Sequence, residues 1–178
     1  YDGYKAKRPE ADAELIAQLI RAHDITDAFG IIGFSSPGFE ADDVLGTIVE
    51  RMKKMPGYKD FKIIIVSGDM DILQLVEGNK IVVYTMRKGI DDTLVYDEKK
   101  VEERYGFGPG AIADYKGLRG DASDNIIGVP GIGEKTATDI IKNFGTIEDL
   151  YNRIENPFFT KTDGKSNILK ERILKLLL

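Results

Sequence analysis

Apolar residues recur along this chain with two different periods. Leu15, Ile16, Leu19 and Ile20 share one helical face, which predicts a helix over residues 10–29 after a boundary at Pro9. Ile31, Ile32 and Phe34 predict a short strand, closed by Ser36-Pro37-Gly38. Helical spacing returns with Val44, Leu45, Ile48, Val49 and Met52, in a segment that opens within Phe39-Glu40-Ala41-Asp42-Asp43. Residues 62–66 (KIIIV) form a continuous β-branched run, the kind buried on both faces of a parallel sheet. Ser67-Gly68-Asp69 then leads into a helix carrying Ile72, Leu73, Leu75 and Val76, and residues 80–84 (KIVVY) read as a second buried strand. Strand and helix alternating over short links predict a doubly wound α/β sheet.

From about residue 93 the pattern becomes helical only. Asp97 caps 98–105, Pro109 sits in the first turn of 109–118, and a helix over 133–144 is stopped by Gly145. Thr146 caps the next helix, to about Ile154; residues 156–167 are a polar loop in which Phe158 and Phe159 anchor, and Ser166 caps the last helix. The expected division is an α/β part over 1–92 and a helical part over 93–178.

Composition narrows the chemistry. The 178 residues are 42% hydrophobic and 31% charged, a globular composition, with no apolar run near the ~18 residues that would span a membrane. No signal-peptide pattern is visible, so the expected location is cytoplasmic and no membrane partner is expected. Zero cysteines exclude disulfides and thiolate metal sites, and a single histidine, His23, excludes any site needing two. His23 falls toward the polar side of the first helix and is assigned no role. The net charge of −5 argues against a nucleic-acid partner unless bound cations offset part of it. The chain begins Tyr-Asp-Gly-Tyr and ends in an apolar helix, so both ends look cut from something longer.

Seven acids supply the reason to expect cations. Glu40, Asp42 and Asp43 open one helix; Asp69 and Asp71 follow the first buried strand; Asp121 and Asp124 bracket a turn. Each cluster alone has a plain explanation: first-turn charge compensation, an N-cap, or an Asx-type turn. Together they predict a shared pocket, and so much like charge is tolerable only when neutralised. Oxygen ligands suit hard divalent ions, Mg²⁺ or Mn²⁺, and two ions about 4 Å apart would suit phosphodiester hydrolysis.

Two further segments point to a phosphate backbone. Val129-Pro130-Gly131-Ile132-Gly133 alternates apolar residues, which plug into the core, with glycines whose N–H groups can approach a phosphate at a helix start. Lys135 and Thr136 add a cation and a hydroxyl, and Lys116 and Arg119 lie nearby in sequence. Tyr4, Lys5, Lys7 and Arg8 combine an aromatic ring with three cations; this suits base stacking and phosphate holding, while composition alone favours a solvated, frayed chain end.

The strings GYKAKR, GFEADDVLGT, SGDMDILQL, KGLRGDASDN and GVPGIGEKTA, in this order, span nearly the whole chain. In them the chain resembles the flap-endonuclease family, and within it the 5′→3′ exonuclease domain of bacterial DNA polymerase I. The resemblance implies a PIN-like parallel sheet flanked by helices, followed by a helical part with a helix–three-turn–helix motif. It implies cleavage of DNA near 5′ ends or flaps, with some RNA-primer removal. It makes Glu40, Asp42, Asp43, Asp69, Asp71, Asp121 and Asp124 metal ligands, and Lys5 and Arg8 the basic residues that act on the scissile phosphate. Tyr4 would stack on a base beside them. Gly131 and Gly133 would belong to the duplex-binding turn, which in relatives often holds K⁺. A polymerase fused after the nuclease is the partner expected in a longer parent.

The family's pattern also includes a strand and two aspartates upstream of GYKAKR. This chain begins after them, so as an isolated segment it is expected to be weakly active or inactive, and unstable. Met70 stands where the family often has lysine, with little expected consequence. Two rivals remain open: a non-catalytic, structure-selective DNA-binding module, and a phosphatase-type hydrolase using Asp69 and Asp71, which would leave GFEADD and GVPGIGEK unexplained.

Overall fold

The computed structural model describes residues 1–86 and 91–155. The chain separates into two compact units, Tyr1–Ala6 with Phe61–Leu178, and Lys7–Asp60.

The larger unit is built on a three-stranded mixed sheet in the order β1-β2-β3, with β1 Ile63–Val66, β2 Ile81–Met86 and β3 Thr93–Tyr96. β1 and β2 run parallel, Ile63 opposite Ile81 and Val66 opposite Tyr84. β2 and β3 run antiparallel, Val83 opposite Tyr96. The β-branched run of β2 buries Ile81, Val82, Val83 and Thr85, as a strand covered on both faces should. β1 differs from the expectation. Only Ile63 and Ile65 are buried, while Ile64 and Val66 are 59% and 65% exposed, so the strand is covered on one face. The helical-only reading after residue 93 is also corrected by β3: Thr-Leu-Val-Tyr pairs with β2 before the chain turns helical at Asp97.

The helix expected after Asp69 is a 3-10 segment, Met70–Leu75, which buries Ile72 and Leu73. α3 (Glu98–Tyr105) starts at Asp97, whose carboxylate accepts the Lys100 N–H at 2.9 Å, and stops at Gly106 with φ +82°. Pro109 opens a 3-10 turn, Pro109–Ala111, that feeds α4 (Ile112–Arg119). Phe107 and Tyr115 lie 5.2 Å apart, and Tyr105 joins them within 5.9 Å. Ile112, Tyr115 and Leu118 give α4 its buried face. α5 (Glu134–Phe144) buries Ala137, Ile140, Ile141 and Phe144 at helical spacing and ends at Gly145, as the sequence indicated. α6 (Ile147–Glu155) is capped twice: the Thr146 hydroxyl accepts the Asp149 N–H, and Asp114 on α4 accepts the Ile147 N–H at 3.1 Å. Fully burying each large apolar side chain contributes roughly 1.5–3 kcal/mol, so β2, α4 and α5 carry this core. The polar loop over 156–167, Phe158, Phe159 and the Ser166-capped helix lie outside the described residues.

The smaller unit holds α1 (Ala13–Ala28), started by Asp12, and α2 (Ala41–Lys53). The apolar face of α1 is formed as expected but is not buried: Leu15, Ile16, Leu19 and Ile20 are all exposed. The strand expected at Ile31, Ile32 and Phe34 does not form. The Ile31 N–H closes back on the Thr26 carbonyl at 2.9 Å, and among the described residues no ladder partner pairs with this stretch. Propensity alone does not make a strand; the ladder does. α2 buries Val49 and keeps Val44, Leu45 and Ile48 half-buried. Among the described residues no helix is long and apolar enough to cross a membrane.

Candidate metal centre

Three elements of the larger unit deliver carboxylates to one place. β1 ends at Val66, and Ser67-Gly68 turns the chain so that Asp69 starts the 3-10 segment carrying Asp71. α4 ends at Arg119, and a tight hairpin of β4 (Gly120–Asp121) and β5 (Ile126–Ile127) carries Asp121 and Asp124. Carboxylate oxygens of Asp71, Asp121 and Asp124 all lie within 4.8 Å of one another.

Two glycines make this hairpin possible. Gly120 has φ +82°, and a Cβ there would stand 2.4 Å from the Gly128 backbone nitrogen. A Cβ on Gly128 would stand 2.2 Å from the Gly120 nitrogen. The two chains touch backbone to backbone, which only glycine permits. Asn125, at φ +58°, makes the αL step between the acids and β5.

Lys116, in the last turn of α4, reaches into the cluster. Its ammonium donates to Asp71 Oδ1 and, at 2.6 Å, to Asp121 Oδ2. Asp121 also accepts from the Ser123 N–H, at 2.9 Å, and the Ser123 hydroxyl. Burial works against the charged forms of both partners, and the hydrogen bonds win. Asp121 is held well below the usual carboxylate range, and Lys116 is raised above the ordinary lysine value.

The group fits a hard divalent cation. All donors are carboxylate oxygens, and oxygens on opposite sides of an octahedral Mg²⁺ stand about 4 Å apart, so the observed spread needs only a small closure. A cation, the Lys116 ammonium, already stands among two of the three.

Asp69 has a local role. It is the N-cap of Met70–Leu75, accepting the Asp71 N–H at 2.9 Å. In the smaller unit, Glu40 and Asp43 meet in a capping arrangement at the start of α2, where Asp43 Oδ2 accepts the Glu40 N–H at 3.0 Å. Asp42, half-buried, lies between them in the first turn. Lys7 and Arg8 open this same unit.

The segment 1–6 is docked on the hairpin. The Lys5 N–H donates to the Asp124 carbonyl at 2.9 Å, Asn125 Nδ2 to the Gly3 carbonyl at 2.6 Å, and the Tyr1 hydroxyl to the Asn125 carbonyl at 3.0 Å. The Tyr4 hydroxyl lies 3.5 Å from Asp124 Oδ2, and the Lys5 ammonium sits 4.8 Å over the Tyr4 ring. Tyr4 and Lys5 therefore flank the carboxylate cluster. Sequence spacing does not reveal this, because Asp124 and Lys5 are far apart along the chain.

The glycine turn follows the hairpin. The Val129 N–H is tied to the Leu118 carbonyl at 2.9 Å, Ile132 is buried, and Gly131 has φ +83°. Gly133 is the N-cap of α5, with nothing within 4 Å of where a Cβ would be. Gly131, Gly133 and Lys135 are exposed and Thr136 is half-buried, so the start of α5 presents an open face. Arg119 donates to the Tyr115 hydroxyl at 3.2 Å and covers that ring. Sequence proximity groups Lys116 with this turn; the structure puts it on the acids instead. The signal available was its position five residues before Asp121, with the helix end and Gly120 between them.

Comparison with known proteins gives a consistent result. Residues 1–106 match the family model "5'-3' exonuclease, N-terminal resolvase-like domain", and residues 107–176 match "5'-3' exonuclease, C-terminal SAM fold". The chain is 38% identical to DNA polymerase I of Bacillus subtilis over 171 residues, 96% of this chain and 19% of that protein. It is 40% identical over 152 residues to a 5'-3' exonuclease of Buchnera aphidicola, 85% of this chain and 47% of the relative. The chain thus spans under a fifth of the polymerase relative and under half of the exonuclease. Among solved structures, the bacteriophage T5 D15 protein co-crystallised with metal ions superposes with a TM-score of 0.67 at 24% identity, over 88% of this chain and 58% of that one. The catalytic core of Rad2 in complex with DNA substrate gives 0.58 at 16% identity, over 97% of this chain and 51% of that one. At these identities the structures establish a shared fold.

Proposed function

This chain belongs to the 5′-3′ exonuclease family, and from that premise we propose that it hydrolyses DNA phosphodiester bonds near 5′ ends and flaps with the help of divalent ions. The observation that carries the reading is the convergence of Asp71, Asp121 and Asp124 beside Tyr4 and Lys5. Asp69 and, in the smaller unit, Glu40, Asp42 and Asp43 are further metal ligands we propose, with two Mg²⁺ or Mn²⁺ ions as the cofactor. Bound there, such ions supply Lewis-acid charge toward a phosphate.

The protein's own residues do the rest. Lys5 is positioned by its backbone bond to the Asp124 carbonyl, with its ammonium over the Tyr4 ring; we assign it and Arg8 to holding phosphate oxygens as charge builds in the transition state. Tyr4 offers a ring face for the terminal base. The backbone N–H groups at Gly131 and Gly133, with Lys135 and Thr136, would grip the downstream duplex without reading sequence, and a K⁺ at that turn would be held by backbone carbonyl oxygens. RNA primers annealed to DNA and a polymerase in the same polypeptide are the further substrate and partner we propose.

A second reading, structure-selective DNA binding without cleavage, draws on the single Lys116 ammonium that already pairs with both Asp71 and Asp121. A 5′-labelled flap substrate separates the two. Mg²⁺-dependent cleavage that falls by about 10²–10³-fold in Asp121→Asn is expected. Tight, metal-independent flap binding with no cleavage would establish the second reading instead.

A further inference from the structure

Lys116 occupies an unusual position for a basic residue beside a duplex grip. Its ammonium bridges Asp71, from the segment after β1, and Asp121, from the hairpin after α4. These residues are 45 and five positions away in sequence, so the bridge ties two separate elements together. The side chains are withdrawn from water to different degrees: Asp121 is 12% exposed, Asp71 and Lys116 each 28%. One positive charge thus stands among oxygens that a divalent ion would need.

We propose that Lys116 is a tethered counter-ion, which holds the carboxylate cluster together before metal arrives and must be displaced for a divalent ion to enter. The proposal rests on the metal reading of Asp71, Asp121 and Asp124. Like charges this close repel unless a cation separates them, and the ammonium supplies that cation from within the fold. Its tether gives it a high effective concentration at the site, against which a free monovalent ion competes poorly. A divalent ion brings twice the charge and more ligand bonds, so it can win. Lys116 therefore acts as a charge filter. It keeps the metal-free protein folded around the cluster, lowers metal affinity, and screens out Na⁺ and K⁺.

Mn²⁺ titration calorimetry without DNA tests this on the wild type, Lys116→Met, Lys116→Gln and Lys116→Arg, together with melting curves in chelator. The neutral variants should bind Mn²⁺ at least about tenfold more tightly, the scale on which residues around a metal site tune it. In chelator they should melt lower than wild type and regain stability as NaCl is raised. The Arg variant should behave as wild type does. Unchanged or weaker Mn²⁺ binding by a folded neutral variant overturns the proposal while leaving the metal site intact. Absence of Mn²⁺ binding by the wild type overturns the metal reading as well. Should both neutral variants fail to fold, the lysine ¹⁵Nζ signals of the wild type decide during a Mg²⁺ titration. Loss of the protected Lys116 signal on saturation supports displacement, and its persistence contradicts it.

Discussion

At the scale of single residues, the acids of this chain are not equivalent. Asp121 accepts from Lys116, the Ser123 amide and the Ser123 hydroxyl. Asp69 and Asp43 do capping work in place. Capping and metal ligation are compatible, since a carboxylate has two oxygens, but they separate in mutants. Asp97→Ala, far from the acids in role, should lower stability by about 1 kcal/mol through loss of the α3 cap, with flap cleavage unchanged; a denaturant melt and a cleavage assay check it. Asn125→Gly keeps the αL step at φ +58° and removes the bond to the Gly3 carbonyl that helps seat Tyr4 and Lys5. It should reduce cleavage several-fold while leaving Mn²⁺ affinity within about twofold, because the carboxylates stay where they are; paired kinetics and calorimetry measure both. The residue types at the site were legible in the sequence as three acid clusters. The Lys116 bridge was not, because the pair it makes with Asp71 is created by the fold and leaves no local spacing to read.

At the scale of elements, the β4–β5 hairpin is the part that sets the geometry of two of the three converging acids. Gly128→Ala would force its Cβ into the backbone of Arg119 and Gly120. Backbone, unlike a long side chain, cannot swing aside, so a loss of about 1–3 kcal/mol and a clear fall in Mn²⁺ affinity are expected. Thermal melts and titration calorimetry would show both, and a Gly110→Ala control, with open space around its Cβ, should leave metal binding unchanged. Helix starts and stops were readable from Asp97, Pro109, Gly145 and Thr146, because caps are local chemistry. Strands were less so. Residues 31–34 carry the right side chains without a ladder, and Thr93–Tyr96, only four residues long, finds one on β2. Pairing is a non-local fact. The same reason explains why β1 is covered on one face only despite its unbroken apolar run.

At the scale of the molecule, the acidic balance and the proposed DNA substrate are reconciled by where the charge lies. The net charge is −5, yet the start of α5 exposes Lys135 beside Gly133, and Lys5 stands at the acids. Binding to a flapped duplex should weaken by roughly one power of salt concentration per phosphate contact, and Lys135→Ala should lower that slope by about one. Fluorescence anisotropy over a salt series reads it directly. The proposed hydrolysis requires that Asp71, Asp121 and Asp124 close around a divalent ion. The direct measurement is an anomalous difference map from crystals soaked in Mn²⁺. A peak about 2.0–2.2 Å from an oxygen of each of the three carboxylates, with the Lys116 ammonium moved off Asp71 and Asp121, is the expected result. A map with no peak among these residues, and Lys116 still seated between the two aspartates at saturating Mn²⁺, would contradict it.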